Sequence, residues 1–191
     1  RQLWFFSTLA TENIERARAL EMAWAGYAFM DRFFRDPRAG GYFSKTDDAG
    51  KVTDSRKHAY HNSFVLYGLV AYHRATKDRE ALRRAQDLFR VLDQRAYDRA
   101  NGGYGEFFHA DWRPVTSASE TTYIGAIGTK TYNTHLHLLE SMAALYRVWP
   151  EAAVRRKTAG ASGREARRAS SSGPGAGRGM ETGSAAIEGV V

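Results

Sequence analysis

The chain of 191 residues is 43% hydrophobic and 26% charged and holds no cysteine, which excludes collagen, a disulfide scaffold and a wholly disordered polymer. Its longest apolar runs, such as Ala23 to Tyr27 and Phe64 to Tyr67, fall far short of the roughly 20 residues that span a bilayer, so no membrane partner is expected. The balance of 28 Lys and Arg against 21 Asp and Glu gives +7, which suits an acidic partner such as nucleic acid, but residues 155–191 carry seven basic and three acidic side chains and supply +4 of it.

That same stretch holds eight of the 18 glycines and no aromatic ring. It can bury too little apolar area to offset the cost of ordering it, so it is expected to be a Gly/Ser/Arg-rich disordered tail behind a domain of residues 1–154. Without aromatic stacking residues a basic tail is a poor RNA ligand, and no nucleic-acid partner is expected. The missing cysteines are compatible with a reducing compartment, hence a cytoplasmic placement. Arg1-Gln2-Leu3-Trp4 shows neither an initiator Met nor a signal-peptide pattern and reads as the start of a fragment inside an element.

Within residues 1–154 apolar positions recur at three and four residues more often than at two, predicting a mostly helical domain. Gln2 to Leu9 completes a first helix. Ile14 to Phe34 carries Ala17, Leu20, Trp24, Tyr27, Ala28 and Phe34 on one stripe, with Thr11 or Asn13 available as its cap. His58 to Ala75 follows with Phe64, Leu66, Leu69, Val70 and Tyr72, then Arg79 to Gln94 with Leu82, Ala85, Leu88, Phe89 and Leu92. A last helix runs from about Tyr132 to Val148, limited by Pro150.

The loops repeat. Asp36-Pro37-Arg38-Ala39-Gly40-Gly41-Tyr42 is answered by Asp98-Arg99-Ala100-Asn101-Gly102-Gly103-Tyr104 at a constant offset of 62 in the numbering (98 − 36). Each copy leads into a short β-like piece with a turn, Phe43 to Thr53 and Glu106 to Val115. A period of this length accommodates two helices and two connections, which suggests an α-solenoid or a closed double ring of helices.

The sharpest motif is Lys130-Thr131-Tyr132-Asn133-Thr134-His135-Leu136-His137-Leu138-Leu139-Glu140. On a helix Asn133, His137 and Glu140 fall at i, i+4 and i+7 and share a face, while His135 is turned away. An amide, an imidazole and a carboxylate together suit sugar hydroxyls; a pair of buried, hydrogen-bonded histidines is the plainer alternative. His-x-His without a third ligand is a weak metal signal, and no metal is expected. Lys57, Tyr60 and Phe64 precede Lys130, Asn133 and His137 at one constant offset of 73 in the numbering (130 − 57). Two helices therefore present matched N-terminal faces that can line one pocket, with Tyr60 either a platform in it or core filler.

Arg1-Gln2-Leu3-Trp4-Phe5-Phe6-Ser7, the Gly-Gly-Tyr loops, Lys57-x-x-Tyr60-x-x-x-Phe64-x-x-Tyr67-Gly68-Leu69, the Lys130 to Glu140 run and Leu145-Tyr146-Arg147-x-Trp149 resemble the N-acylglucosamine 2-epimerase family, which includes the cellobiose 2-epimerases. The resemblance covers about residues 1–150. It implies an all-α (α/α)6 barrel, a small-molecule sugar substrate, and inversion at C2 of an aldose or N-acylhexosamine through an enediolate, without a cofactor. It places the family's substrate-binding arginine on Arg1, its pocket tyrosine on Tyr60, its asparagine on Asn133 and its first active-site histidine on His137, the catalytic candidate; Glu140 joins as a substrate-binding candidate. The two histidines that exchange the C2 proton come later in the family's chains, and no histidine follows His137 here.

Six helix pairs of the loop period need more than twice the length that precedes the tail. A partial barrel of about two and a half helix pairs is therefore expected, inactive alone and open to self-association through exposed helix faces. The family pattern stops at Arg155, as a truncated or frame-shifted reading frame or a natural short form would give. The alternatives are a noncatalytic carbohydrate- or partner-binding helical remnant and a helical scaffold whose tail recruits nucleic acid.

Overall fold

The computed structural model describes residues 1–117 and 125–161. Six helices form three antiparallel pairs: α1 (Gln2–Thr11) with α2 (Arg16–Phe29), α3 (Ala59–Thr76) with α4 (Arg79–Val91), and α5 (Tyr132–Val148) with α6 (Ala152–Ala161). The odd-numbered helices stand side by side in the order α1, α3, α5, and each even-numbered helix packs behind its own partner. This is a partial (α/α)6 barrel. Its third pair is complete, half a pair more than the repeat length gives, because α6 continues past the expected boundary at residue 154. Val154 is fully buried, Lys157 Nζ pairs with Asp93 at 3.0 Å, and Thr158 Oγ1 donates to the Val154 carbonyl. A helix this short docks through one buried valine, just ahead of residue 155, and one lysine stem, which the composition of residues 155–191 conceals. From residue 162 the expected tail lies outside the described residues.

The pairs close tightly at one end and openly at the other. Lys77, left-handed at φ +62°, and Asp78 turn α3 into α4, and Asp78 caps α4 by accepting from the Glu80 and Ala81 amides. At the opposite end α2 and α4 each finish in a π-helical turn, Met30–Phe34 and Leu92–Ala96, related by the same offset as the loops. The repeat extends to ion pairs: Asp31 meets Arg84 at 3.1 Å as Asp93 meets Lys157. Beyond these turns lie the Gly-Gly-Tyr loops and two small antiparallel pairings, β1 (Lys45–Thr46) with β2 (Val52–Asp54), and β3 (Lys57–His58) with β4 (Phe107–Phe108). The core, including Leu66, Leu69, Leu88, Leu92, Leu138 and Met142, sits between α3, α4 and α5.

Two expectations for α2 fail. Neither Thr11 nor Asn13 caps it: Thr11 extends α1 and donates its hydroxyl to the Ser7 carbonyl, Asn13 takes φ +60° in the turn, and the N-cap position falls to Glu15 without a side-chain bond. The buried face is Ala19 and Ala23, not the stripe through Ala17 and Trp24, and Trp24 stands 62% exposed. Small side chains win that face because α1 approaches closely, Gly26 facing Leu3.

Candidate active site

The two glycine loops are built alike. Asp36 Oδ1 accepts from the amides of Arg38 and Ala39 at 2.9 and 3.2 Å, and Asp98 Oδ1 from those of Ala100 and Asn101 at 2.9 and 3.0 Å. Each Gly-Gly pair then takes φ between +72° and +75°, which L side chains rarely adopt. A lysine just ahead of the next inner helix locks each loop: Lys57 Nζ donates to Asp36 Oδ2 and the Gly40 carbonyl at 2.7 and 2.8 Å, and Lys130 Nζ to Asp98 Oδ2 and the Gly102 carbonyl, both at 2.6 Å. The two lysines are therefore struts of the loops and not pocket groups. Burial works to raise the Asp36 carboxyl, yet the bonds from Lys57 and the two amides hold it below the ordinary carboxylate range.

His135 is absorbed by the same construction. Its Nε2 lies 2.9 Å from the Tyr104 amide, which donates to it, and its Nδ1 lies 2.8 Å from the Thr131 carbonyl.

Glu106 ties the second loop to two helix N-termini. Its carbonyl accepts from the Ala59 amide of α3 at 2.9 Å. Its buried carboxylate accepts from the Thr131 amide and the Thr134 hydroxyl of α5, both at 2.6 Å, and lies 3.3 Å from His58 Nε2. Burial alone would raise this carboxyl; the bonds from His58, Thr134 and Thr131 keep it below its usual range. Glu106 thus links the N-terminal ends of α3 and α5.

On that frame the N-terminal ends of α1, α3 and α5 bring four of the five expected site residues together. Arg1 donates to the Tyr60 hydroxyl at 2.7 Å and lies over the Phe64 ring at 4.2 Å. The His137 ring stands edge-on to Tyr60, centroids 5.4 Å apart, and 4.5 Å from Phe64. His137 Nδ1 is 2.9 Å from Glu140 Oε2. Asn133, one turn ahead of His137 on the same face, is exposed and outside this contact network. Cation, phenol, imidazole and carboxylate thus meet at the open end of the inner helices, an arrangement able to polarise the oxygens of a ligand and exchange protons with them. Sequence reasoning did not find Glu106, whose isolated carboxylate carries no motif. It placed Phe64 only as a positional match, although Phe64 touches both Arg1 and His137. Among the described residues no cluster of three His, Asp or Glu side chains is placed to hold a metal ion.

The architecture defines a class, the α/α rings built from helix hairpins. At 12% identity, a family 76 glycoside hydrolase (mannosidase) from Bacteroides thetaiotaomicron superposes with a TM-score of 0.63, which shows the shared fold alone. Within that class the family model described as N-acylglucosamine 2-epimerase (GlcNAc 2-epimerase) matches residues 1–161, and the chain belongs to that family. It is 34% identical over 157 residues to the cellobiose 2-epimerase of Bacteroides fragilis, covering 82% of this chain and 40% of that protein. The structure of the cellobiose 2-epimerase from Spirochaeta thermophila superposes with a TM-score of 0.75 at 35% identity, covering 84% of this chain and 40% of the other. The chain therefore spans about 40% of the length of these relatives.

Proposed function

We propose that residues 1–161 form the sugar-receiving part of a sugar 2-epimerase, an isomerase that inverts C2 of an aldose or N-acylhexosamine through an enediolate. The observation that carries this reading is the convergence of Arg1, Tyr60, His137 and Glu140 at one end of three adjacent helices. Inversion beside an aldehyde requires ring opening, removal of the C2 proton to give an enediolate, and return of a proton on the opposite face. Arg1 donates to the oxyanion. Tyr60 and Phe64 offer aromatic surface for the sugar's C–H face, and Asn133 bonds its hydroxyls. His137 exchanges a proton with the hemiacetal hydroxyl as the ring opens. The two bases that move the C2 proton belong, by the family resemblance, to the part of the ring beyond this chain's match.

The chemistry calls for no cofactor, and the cysteine-free sequence supports a cytoplasmic setting. Self-association through exposed helix faces that no further pair covers belongs to this reading.

The test is incubation of the chain with mannose, N-acetylglucosamine or cellobiose in deuterated water, with C2 followed by NMR. The expected result is sugar binding with no deuterium entering C2 at an enzyme-like rate, because each missing base removes roughly 10²- to 10⁴-fold. Ordinary turnover abolished by His137→Ala would place both bases inside these 191 residues and overturn the division of labour. Failure to bind any of the three sugars would overturn the pocket itself.

A further inference from the structure

We propose that Glu140 is a positioning residue: it fixes the tautomer of His137 so that Nε2 presents a lone pair to the sugar. The inference rests on the sugar-pocket reading above for what Nε2 meets, while the tautomer itself stands on geometry alone. A neutral imidazole carries one donor nitrogen and one acceptor, and an ionised carboxylate only accepts. At 2.9 Å from Glu140 Oε2, Nδ1 therefore holds the hydrogen and Nε2 the lone pair. The ring lies against Phe64 and edge-on to Tyr60, which restricts the rotation that would exchange the two nitrogens.

A chemical consequence follows for the reaction. A lone pair at Nε2 accepts from a hydroxyl and cannot donate to a carbonyl oxygen. His137 is then suited to take the proton of the anomeric hydroxyl as C1–O1 becomes a carbonyl and the bond from C1 to the ring oxygen breaks, and to return that same proton from Nε2 to the released ring oxygen. Arg1 is left as the hydrogen-bond donor for the oxygen that becomes charged in the enediolate. When Nε2 takes that proton, the Glu140 carboxylate faces the positive charge that forms, the same arrangement by which a carboxylate orients a catalytic imidazole in hydrolases. Glu140 acts through His137 and needs no contact with the sugar, which differs from the substrate-binding role that the face periodicity suggests for it.

The helix carries its own reference. His135 Nδ1 meets a carbonyl and its Nε2 receives the Tyr104 amide, so the backbone enforces the Nδ1–H form there whatever happens at Glu140. Imidazole nitrogen NMR on the full chain, at a pH where the rings are neutral, reads both tautomers at once. The expected result is Nδ1–H at His135 and at His137. Glu140→Gln, whose amide oxygen still accepts, keeps the Nδ1–H form at His137. Glu140→Ala releases His137 toward the Nε2–H form and leaves His135 unchanged, which also certifies the fold, since the Glu140 side chain is 44% exposed and its truncation opens no core. An Nε2–H ring at His137 in the parent chain, or no change in Glu140→Ala, overturns the proposal. Addition of cellobiose separates the two readings: the expected tautomers with no sugar-induced movement at His137 uphold Glu140 as the positioning group and reject the pocket.

Discussion

Asn62 and His135 occupy equivalent places in successive repeats and perform one task with different chemistry. Asn62 Oδ1 accepts from the Tyr42 amide at 2.9 Å, and His135 Nε2 accepts from the Tyr104 amide at the same distance. Each side chain reaches from an inner helix into the Gly-Gly-Tyr loop of its own repeat. The equivalence extends outward to Lys57 with Lys130, Phe64 with His137, and Arg84 with Lys157, all at the offset that relates Asn62 to His135. The loops and π turns repeat at a shorter offset, so the second repeat carries a longer segment between its tyrosine, Tyr104, and its lysine, Lys130.

The shared task predicts that His135→Ala, which leaves the Tyr104 amide without its acceptor, costs about 1–3 kcal/mol. His135→Asn should recover part of that loss, because the asparagine oxygen serves in the first repeat. Thermal unfolding of the two variants checks it; equal loss in both would mean that imidazole packing, and not the accepted bond, is what matters. Gly103→Ala should be worse than either single-bond loss, since its Cβ would lie 2.8 Å from His135 Nε2 at φ +74°.

Glu106 predicts a larger effect. Replacing it by alanine strips acceptors from the Thr131 amide, the Thr134 hydroxyl and His58 at once, a loss of about 3 kcal/mol. Glu106→Gln should retain one accepted bond and fall between. Chemical denaturation measures both, and a Glu106→Ala chain as stable as the parent would contradict the role of this residue as the tie between α3 and α5.

A third expectation concerns pH. Burial, with a smaller contribution from the neighbouring His58, lowers the His61 pKa to about 4, against about 6.5 in an unfolded chain. Between those values the unfolded state binds the extra proton, so stability is complete above about pH 6.5 and declines as the pH falls toward 4. Melting temperature followed across that window should drop in the parent and drop less in His61→Gln. An unchanged slope in the variant would assign the acid sensitivity to other groups.

The helix pairs were legible in the sequence because α3, α4 and α5 carry uninterrupted apolar stripes that periodicity detects, and Leu66, Leu88 and Leu138 are buried as those stripes require. The buried face of α2 was not, because its contact with α1 uses Ala19, Ala23 and Gly26, whose small side chains carry little hydropathy signal. The packing of α6 beyond residue 154 escaped for a related reason: this short helix needs few apolar residues when a lysine stem and one ion pair complete its contact. At the site, the positional match of Tyr60 and Phe64 with Asn133 and His137 points to the N-terminal ends of α3 and α5, where Tyr60, Phe64 and His137 meet. It could not separate the lysines that brace the loops from the groups that face one another, since both obey the same spacing. Glu106 was invisible, because its partners come from two helices distant in sequence.

The central claim, that Arg1, Tyr60 and His137 receive a sugar, is tested most directly by titrating the chain with cellobiose, mannose and N-acetylglucosamine while the side-chain NMR signals of these three residues are observed. The account predicts saturable shifts at Tyr60 and His137 for at least one sugar, lost in His137→Ala and weakened in Tyr60→Phe. Unmoved Tyr60 and His137 signals with all three sugars, or saturable shifts confined to residues away from the ends of α1, α3 and α5, would contradict it.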